Sequence, residues 1–200
     1  MTGAFSNTDN WSWGVEGEYA RSESDGTVKH GDHDFDRTTG RVQLLGPNSQ
    51  TDFFAGYQSK FFGWPGMYTG NAANLETENL QTRLFSINHT QNYSDESNWQ
   101  LSAYHRRNTD HFVYQRYGPS TYEAKHETKV SALAFAGRHV INQQFALNHS
   151  AQLTADEIDS SNLEQGDFTS RTYYKFNLLP EYQFELDPGE TINHTRRRHL

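Results

Sequence analysis

Apolar and polar residues alternate with a period of two along most of the chain, and few stretches repeat apolar residues at helical spacing. Trp11, Trp13, Val15, Gly17 and Tyr19 interleave with Ser12, Gly14, Glu16 and Glu18. On a strand, two such sets face opposite sides. Further on, Phe168, Ser170, Thr172, Tyr174, Phe176 and Leu178 alternate with Thr169, Arg171, Tyr173, Lys175 and Asn177. That phase continues past Pro180 through Tyr182, Phe184 and Leu186. Trp99, Leu101 and Ala103 oppose Gln100, Ser102 and Tyr104, while Leu147, Ala151 and Leu153 oppose Asn148, Gln152 and Thr154. Leu80–His89 and Val130–His139 alternate less cleanly, which leaves their facing open. The pattern predicts eight strands, near 11–22, 35–45, 51–60, 77–92, 98–107, 125–139, 143–157 and 168–186. Most reach the roughly 9–11 residues that cross a bilayer at a tilt.

The connections alternate in length. Residues 46–50, 93–97 and 140–142 are short, whereas 23–34, 61–76, 108–124 and 158–167 are long. Short turns on one side and long loops on the other mark an outer-membrane barrel. Trp11, Phe53, Trp99 and Phe145 each open a strand that leaves the short-turn side, and Tyr182 and Phe184 return to it. That placement predicts one aromatic girdle at a membrane–water interface. Trp13, Val15, Leu101, Leu147, Leu153, Phe176 and Leu178 are then expected on the lipid side. The other face carries Glu16, Glu18, Arg106, Arg171, Lys175, Glu181 and Glu185. An unpaired buried charge costs several kcal/mol, so this face is expected to meet water or a polar plug. An eight-stranded barrel is just wide enough for its own side chains. These charges together with Tyr104 and Tyr173 crowd such an interior, which favours an arc of a wider cylinder with two open edges, near 11–22 and 168–186.

Composition sharpens this picture. Only 34% of the 200 residues are hydrophobic and the mean hydropathy is −0.92, a poor basis for a water-soluble core. Aromatic residues make up 14%, which argues against disorder. The net charge of −8 argues against nucleic-acid binding. The absence of cysteine excludes disulfide frameworks, zinc knuckles and thiol catalysis. No apolar stretch approaches the roughly 18 residues of a membrane helix, and MTGAFSNTDN lacks the blocks of a signal peptide. No GxSxG, HExxH or phosphate-binding glycine loop is present, so no enzyme is expected.

The stretch FDRTTGRVQLLGPNSQTDFFAGYQSKFFGWPGMYTG, residues 35–70, resembles the barrel of TonB-dependent outer-membrane receptors, in particular the vitamin B12 receptor-like branch. The resemblance continues through ETENLQTRLFSINHTQNY (76–93), WQLSAYHRRN (99–108), ADEIDSSNL (155–163) and SRTYYKFNLLPEY (170–182). It implies an antiparallel all-β meander that is an incomplete portion of a roughly 22-stranded barrel. It also implies residence in the outer membrane among its lipids, with a plug and TonB coupling in the full-length parent and cobalamin or a ferric siderophore as the imported ligand. Neither a plug nor a TonB-engaging segment is recognisable here. Residues 1–190 read as partial barrel and 191–200, with Arg196–Arg198, as a basic tail outside the family pattern. The competing expectations are a complete small eight-stranded outer-membrane barrel of structural or adhesive role, and a soluble β-barrel that binds a small ligand.

Two loop regions carry candidate chemistry. Asp32, Asp34 and Asp36 offer hard oxygen donors at alternating positions, suited either to calcium or to a solvated acidic loop. The vitamin B12 receptor-like resemblance implies calcium on loop aspartates near the early strands. Trp64, Met67 and Tyr68 lie in the loop at 61–76, and Phe112, Tyr114, Arg116 and Tyr117 in the loop at 108–124. Exposed aromatics with an occasional arginine suit a large, partly apolar ligand, and suit equally a set of loops packed on one another.

Overall fold

The computed structural model describes residues 6–8, 10–119, 122–187 and 190–195, with side chains for 10–119 and 122–184. One sheet of ten antiparallel strands runs in chain order: β1 (Ser6–Thr8), β2 (Trp11–Ser24), β3 (His33–Leu45), β4 (Ser49–Gly63), β5 (Thr77–Asn92), β6 (Asn98–Val113), β7 (Glu123–Val140), β8 (Phe145–Ser160), β9 (Ser170–Asp187) and β10 (Glu190–Thr195). The eight long strands are those the alternation predicts. Several extend further towards the long loops, so that His111 and Phe112 lie inside β6 rather than in a loop. Backbone pairing there continues beyond the point where apolar alternation stops marking it, because Asn108, Thr109 and Asp110 still find register partners on both sides.

The sheet is open. β9 pairs with β8 and β10, and β2 pairs with β1 and β3, so no ladder joins β2 to β9. A closed eight-stranded barrel is therefore not formed. The outermost strands are β1 and β10 rather than β2 and β9. Glu190–Thr195 pairs with Glu181–Asp187, so Thr191–Thr195, expected as the start of a basic tail outside the family pattern, continue the sheet. Among them, Thr191, Ile192 and Thr195 are β-branched residues that suit a pleated surface. The positions of Arg196–Arg198 lie outside the described residues.

Two features of this sheet are incompatible with an ordinary globular interior. Among the described residues only Ala124 and Ala146 are buried apolar side chains. A domain normally packs two layers around one core, and here a single layer leaves both faces bare. The second feature is stagger. One line of register partners runs Trp13, Leu44, Thr51, His89, Leu101, Phe135, Ala151. Trp11 opens β2 two residues beyond that line, whereas Phe145 opens β8 six residues beyond it. The short-turn ends thus step progressively along the sheet, as strands do when they tilt in a barrel wall.

Candidate functional site

Register assigns each side chain to a face, since direct partners point the same way. One face carries the line above and, next to it, Val15, Val42, Phe53, Ile87, Ala103, Leu133, Leu153 and Tyr174. All seven residues expected on the lipid side belong to this face. Trp13, Val15, Phe53, Leu101, Leu133 and Leu153 are all exposed. Towards the short turns the face ends in rings: His89 on Trp99 at 5.0 Å, Trp99 on Phe135 at 6.1 Å and Phe135 on His149 at 5.5 Å. Trp11, Phe145 and Tyr182 follow the staggered strand ends. Phe53 departs from the expected ring: it is level with Val15 and Ile87, inside the apolar band. Towards the long loops the same face turns charged at Arg83, Arg107, Lys129 and Glu157, which are register partners in succession.

The opposite face carries Glu16, Glu18, Arg106, Arg171 and Lys175, as expected. Its charges are paired across strands. Arg37 donates to Glu18, Arg41 to Asp52, Arg138 to Glu181 at 3.2 Å, and Arg171 to Asp156 at 2.6 Å. Gln43 and Gln50 also donate to Asp52. Such a network needs no dry interior, and it suits a wet lumen.

The long loops pack into one cluster. Arg116 forks onto both carboxylate oxygens of Asp32, with Nη2 to Oδ2 at 2.9 Å. This hydrogen bonding, chiefly, holds the Asp32 carboxyl below the usual carboxylate range. The guanidinium also lies 5.0 Å from the ring centre of Phe61 and 5.3 Å from that of Tyr117. The edge of His30 meets Tyr117 at 5.2 Å. Gly63 N donates to Asp32 O at 2.7 Å, and a Cβ at Gly63 would sit 2.0 Å from His30 O. Only glycine permits that approach.

The loop at 64–76 is folded on the buried Glu76. Trp64 N donates to Glu76 O, and Tyr68 N donates to Glu76 Oε2 at 2.9 Å. Tyr68 Oη donates to Glu78 at 3.1 Å and its ring stands on Phe112 at 5.2 Å. Arg116 N donates to Leu75 O, and Gln115 Oε1 accepts from Leu75 N, which ties this loop to the loop at 114–122. Tyr114 N donates to Tyr122 O, and Tyr122 Oη reaches Asn162 in the last long loop at 3.0 Å.

The proposed ligand residues therefore separate. Met67, Tyr68 and Tyr117 present exposed surface, while Trp64, Phe112, Tyr114 and Arg116 are half-buried structural members of the cluster. Asp34 and Asp36 lie on one face of β3, about 6.6 Å apart, and Asp32 stands just before that strand. Asp32 is held by Arg116, and Asp34 lies 3.5 Å from Arg21. Among the described residues no three His, Asp or Glu side chains converge as a metal site. The Asp32–Arg116 clamp and the buried Glu76 are absent from the sequence reading. No local motif signals a pair 84 residues apart. Comparison with known proteins returns no matching family model and no matching curated protein.

Proposed function

We propose that this chain is part of the wall of a membrane-spanning barrel in the outer membrane. In the full-length parent it serves a TonB-dependent receptor that imports cobalamin or a ferric siderophore. The observation that carries the wall reading is the exposed apolar band on one face of a coreless sheet, bounded by rings at one end and charges at the other, with ion pairs on the opposite face. Lipid against the first face and a wet lumen against the second leave neither face mismatched. The import reading rests on the family resemblance and on the exposed side chains of Met67, Tyr68 and Tyr117 in the long loops. The same reading makes the chain a binding and structural element, with no catalytic step of its own.

Single cysteines test this cleanly, since the chain has none. Spin labels at Leu101, Ala103, Ser102 and Tyr104 in lipid–detergent bicelles should alternate in accessibility. Oxygen, enriched in lipid, should relax the labels at 101 and 103. A water-soluble nickel chelate should relax those at 102 and 104. Equal nickel accessibility at all four positions would remove the wall reading.

A further inference from the structure

Where the apolar face meets its charged border, two features adjoin. A trough of about 690 Å³ opens on the apolar side, lined by Val15, Val42, Phe53, Ala55, Phe85 and Ala103. One step towards the long loops, two residues on from Phe85 along β5, stands Arg83, and its direct register partner is Arg107. Like charges directly opposite on a sheet repel. Lys129 stands directly opposite Arg107 on its other side, so three cations lie in a row. Glu127 serves Arg107 and Lys129, and Glu157 lies near Lys129. Arg83 has no carboxylate partner among the described residues; it leans over the Tyr57 ring at 6.0 Å.

We propose that the trough and the Arg83–Arg107 pair bind an anionic lipid, one whose phosphate head group carries a net negative charge. The proposal rests on the wall reading. The acyl chain would lie along the trough and the phosphate between the two guanidiniums. A phosphate there answers the like-charge contact that Glu127 leaves uncompensated at Arg83, and a guanidinium is suited to forked contact with phosphate oxygens. The occupant is an anionic lipid rather than a free anion, because the cations border an apolar trough and not a polar cavity.

The test uses a fluorophore on Ser131→Cys, whose partner across the ladder is His105 at the trough's edge. Bicelles of phosphatidylcholine are doped with phosphatidic acid or phosphatidylcholine carrying a nitroxide on the acyl chain. Phosphatidic acid should reach half-quenching at about fivefold lower mole fraction, the preference expected for one basic side chain at a membrane surface. Arg83→Gln should abolish the preference, and Arg106→Gln, on the opposite face, should leave it intact. Excess inorganic phosphate should not compete. Equal quenching by the two lipids would overturn the site while leaving the wall reading in place. Competition by inorganic phosphate would overturn lipid as the occupant. No quenching by either lipid would overturn both readings.

Discussion

Arg116 and Asp32 are 84 residues apart in the chain, yet the guanidinium grips both oxygens of the carboxylate and locks the loop at 114–122 onto the loop at 25–32. Both side chains are about a quarter exposed, so the pair is shielded more than a surface ion pair. Charge-assisted forked bonds contribute more than neutral ones. Arg116→Ala should therefore lower the local stability of residues 25–32 by about 2 kcal/mol. Arg116→Lys, which keeps the charge but loses the fork and the guanidinium's place over Phe61 and Tyr117, should recover less than half of that. Hydrogen-exchange protection in the loop is the readout.

The same clamp predicts a pH response. Arg116 favours the ionised Asp32 and depresses its pKa. A depressed acid stabilises the folded loop fully above the ordinary carboxylate pKa, and the contribution is lost as pH falls through the lower, folded value. Protection of residues 25–32 should be flat from neutral pH down to about pH 4 and should fall only below it. In Arg116→Ala the drop below about pH 4 should disappear, because the reason for the depression is gone. A drop centred near neutral pH in the parent chain would assign the loop's stability to another group.

Gly63 gives a steric prediction. A methyl group there would stand 2.0 Å from the His30 carbonyl oxygen, closer than any van der Waals contact allows, and the obstacle is backbone. Gly63→Ala should displace the loop at 25–32 and break the bond from Gly63 N to Asp32 O. Loss of loop protection equal to or beyond that of Arg116→Ala is expected, with the strand ladder of β4 and β5 retained.

The strands were legible in the sequence because each residue's facing follows from a period of two. Trp13, Leu101, Leu153 and Phe176 declare it with unambiguous apolar side chains, and all four fall on one face. The less clean stretch Leu80–His89 resolves only through its partners, which put Phe85 and Ile87 beside Ala55 and Phe53. Phe53 was misplaced because β4 begins at Ser49, earlier than the apolar alternation marks it, so Phe53 stands four residues into the strand rather than at its end. The loop cluster was legible as a set of residue types but not as a geometry. Phe112 looks like a loop aromatic in the sequence, and only the pairing of Phe112 with Glu78 and Ala124 shows it to be a strand residue beneath Tyr68. Arg116 looks like a ligand contact in the sequence, and only the folded chain shows that it also pairs with Asp32.

The two faces should answer the same substitution differently. Leu133 lies on the apolar band between Ala103 and Leu153, and Ala132 lies on the polar face between Tyr104 and Thr154. Leu133→Arg should cost about 2–4 kcal/mol in bicelles, the penalty for a cation at mid-depth in lipid. Ala132→Arg, facing water, should cost far less. Tryptophan fluorescence over a urea titration measures both. Equal costs would show that the two faces meet the same solvent.

β10 covers β9 only from Glu181 to Asp187, so the stretch from Ser170 to Pro180 has no strand beyond it among the described residues. Side-chain exposure marks the gap: Phe176 is 72% exposed, against 40% for Leu101 in the middle of the sheet. In the hydrocarbon of a vesicle each unpaired backbone group costs several kcal/mol, and about every second residue of such an edge presents both an N–H and a C=O outward. A sheet with that edge cannot cross a bilayer alone, whereas detergent at the rim of a bicelle tolerates it. The chain should therefore fold in bicelles but not float with lipid vesicles after a urea wash. By the same logic it should transport nothing alone: given an export signal in cells that lack their own receptor, it should not restore growth on limiting cobalamin or chelated iron. Urea-resistant insertion of single copies, or restored growth, would mean that these 200 residues close a barrel by themselves, and the open arc would be wrong.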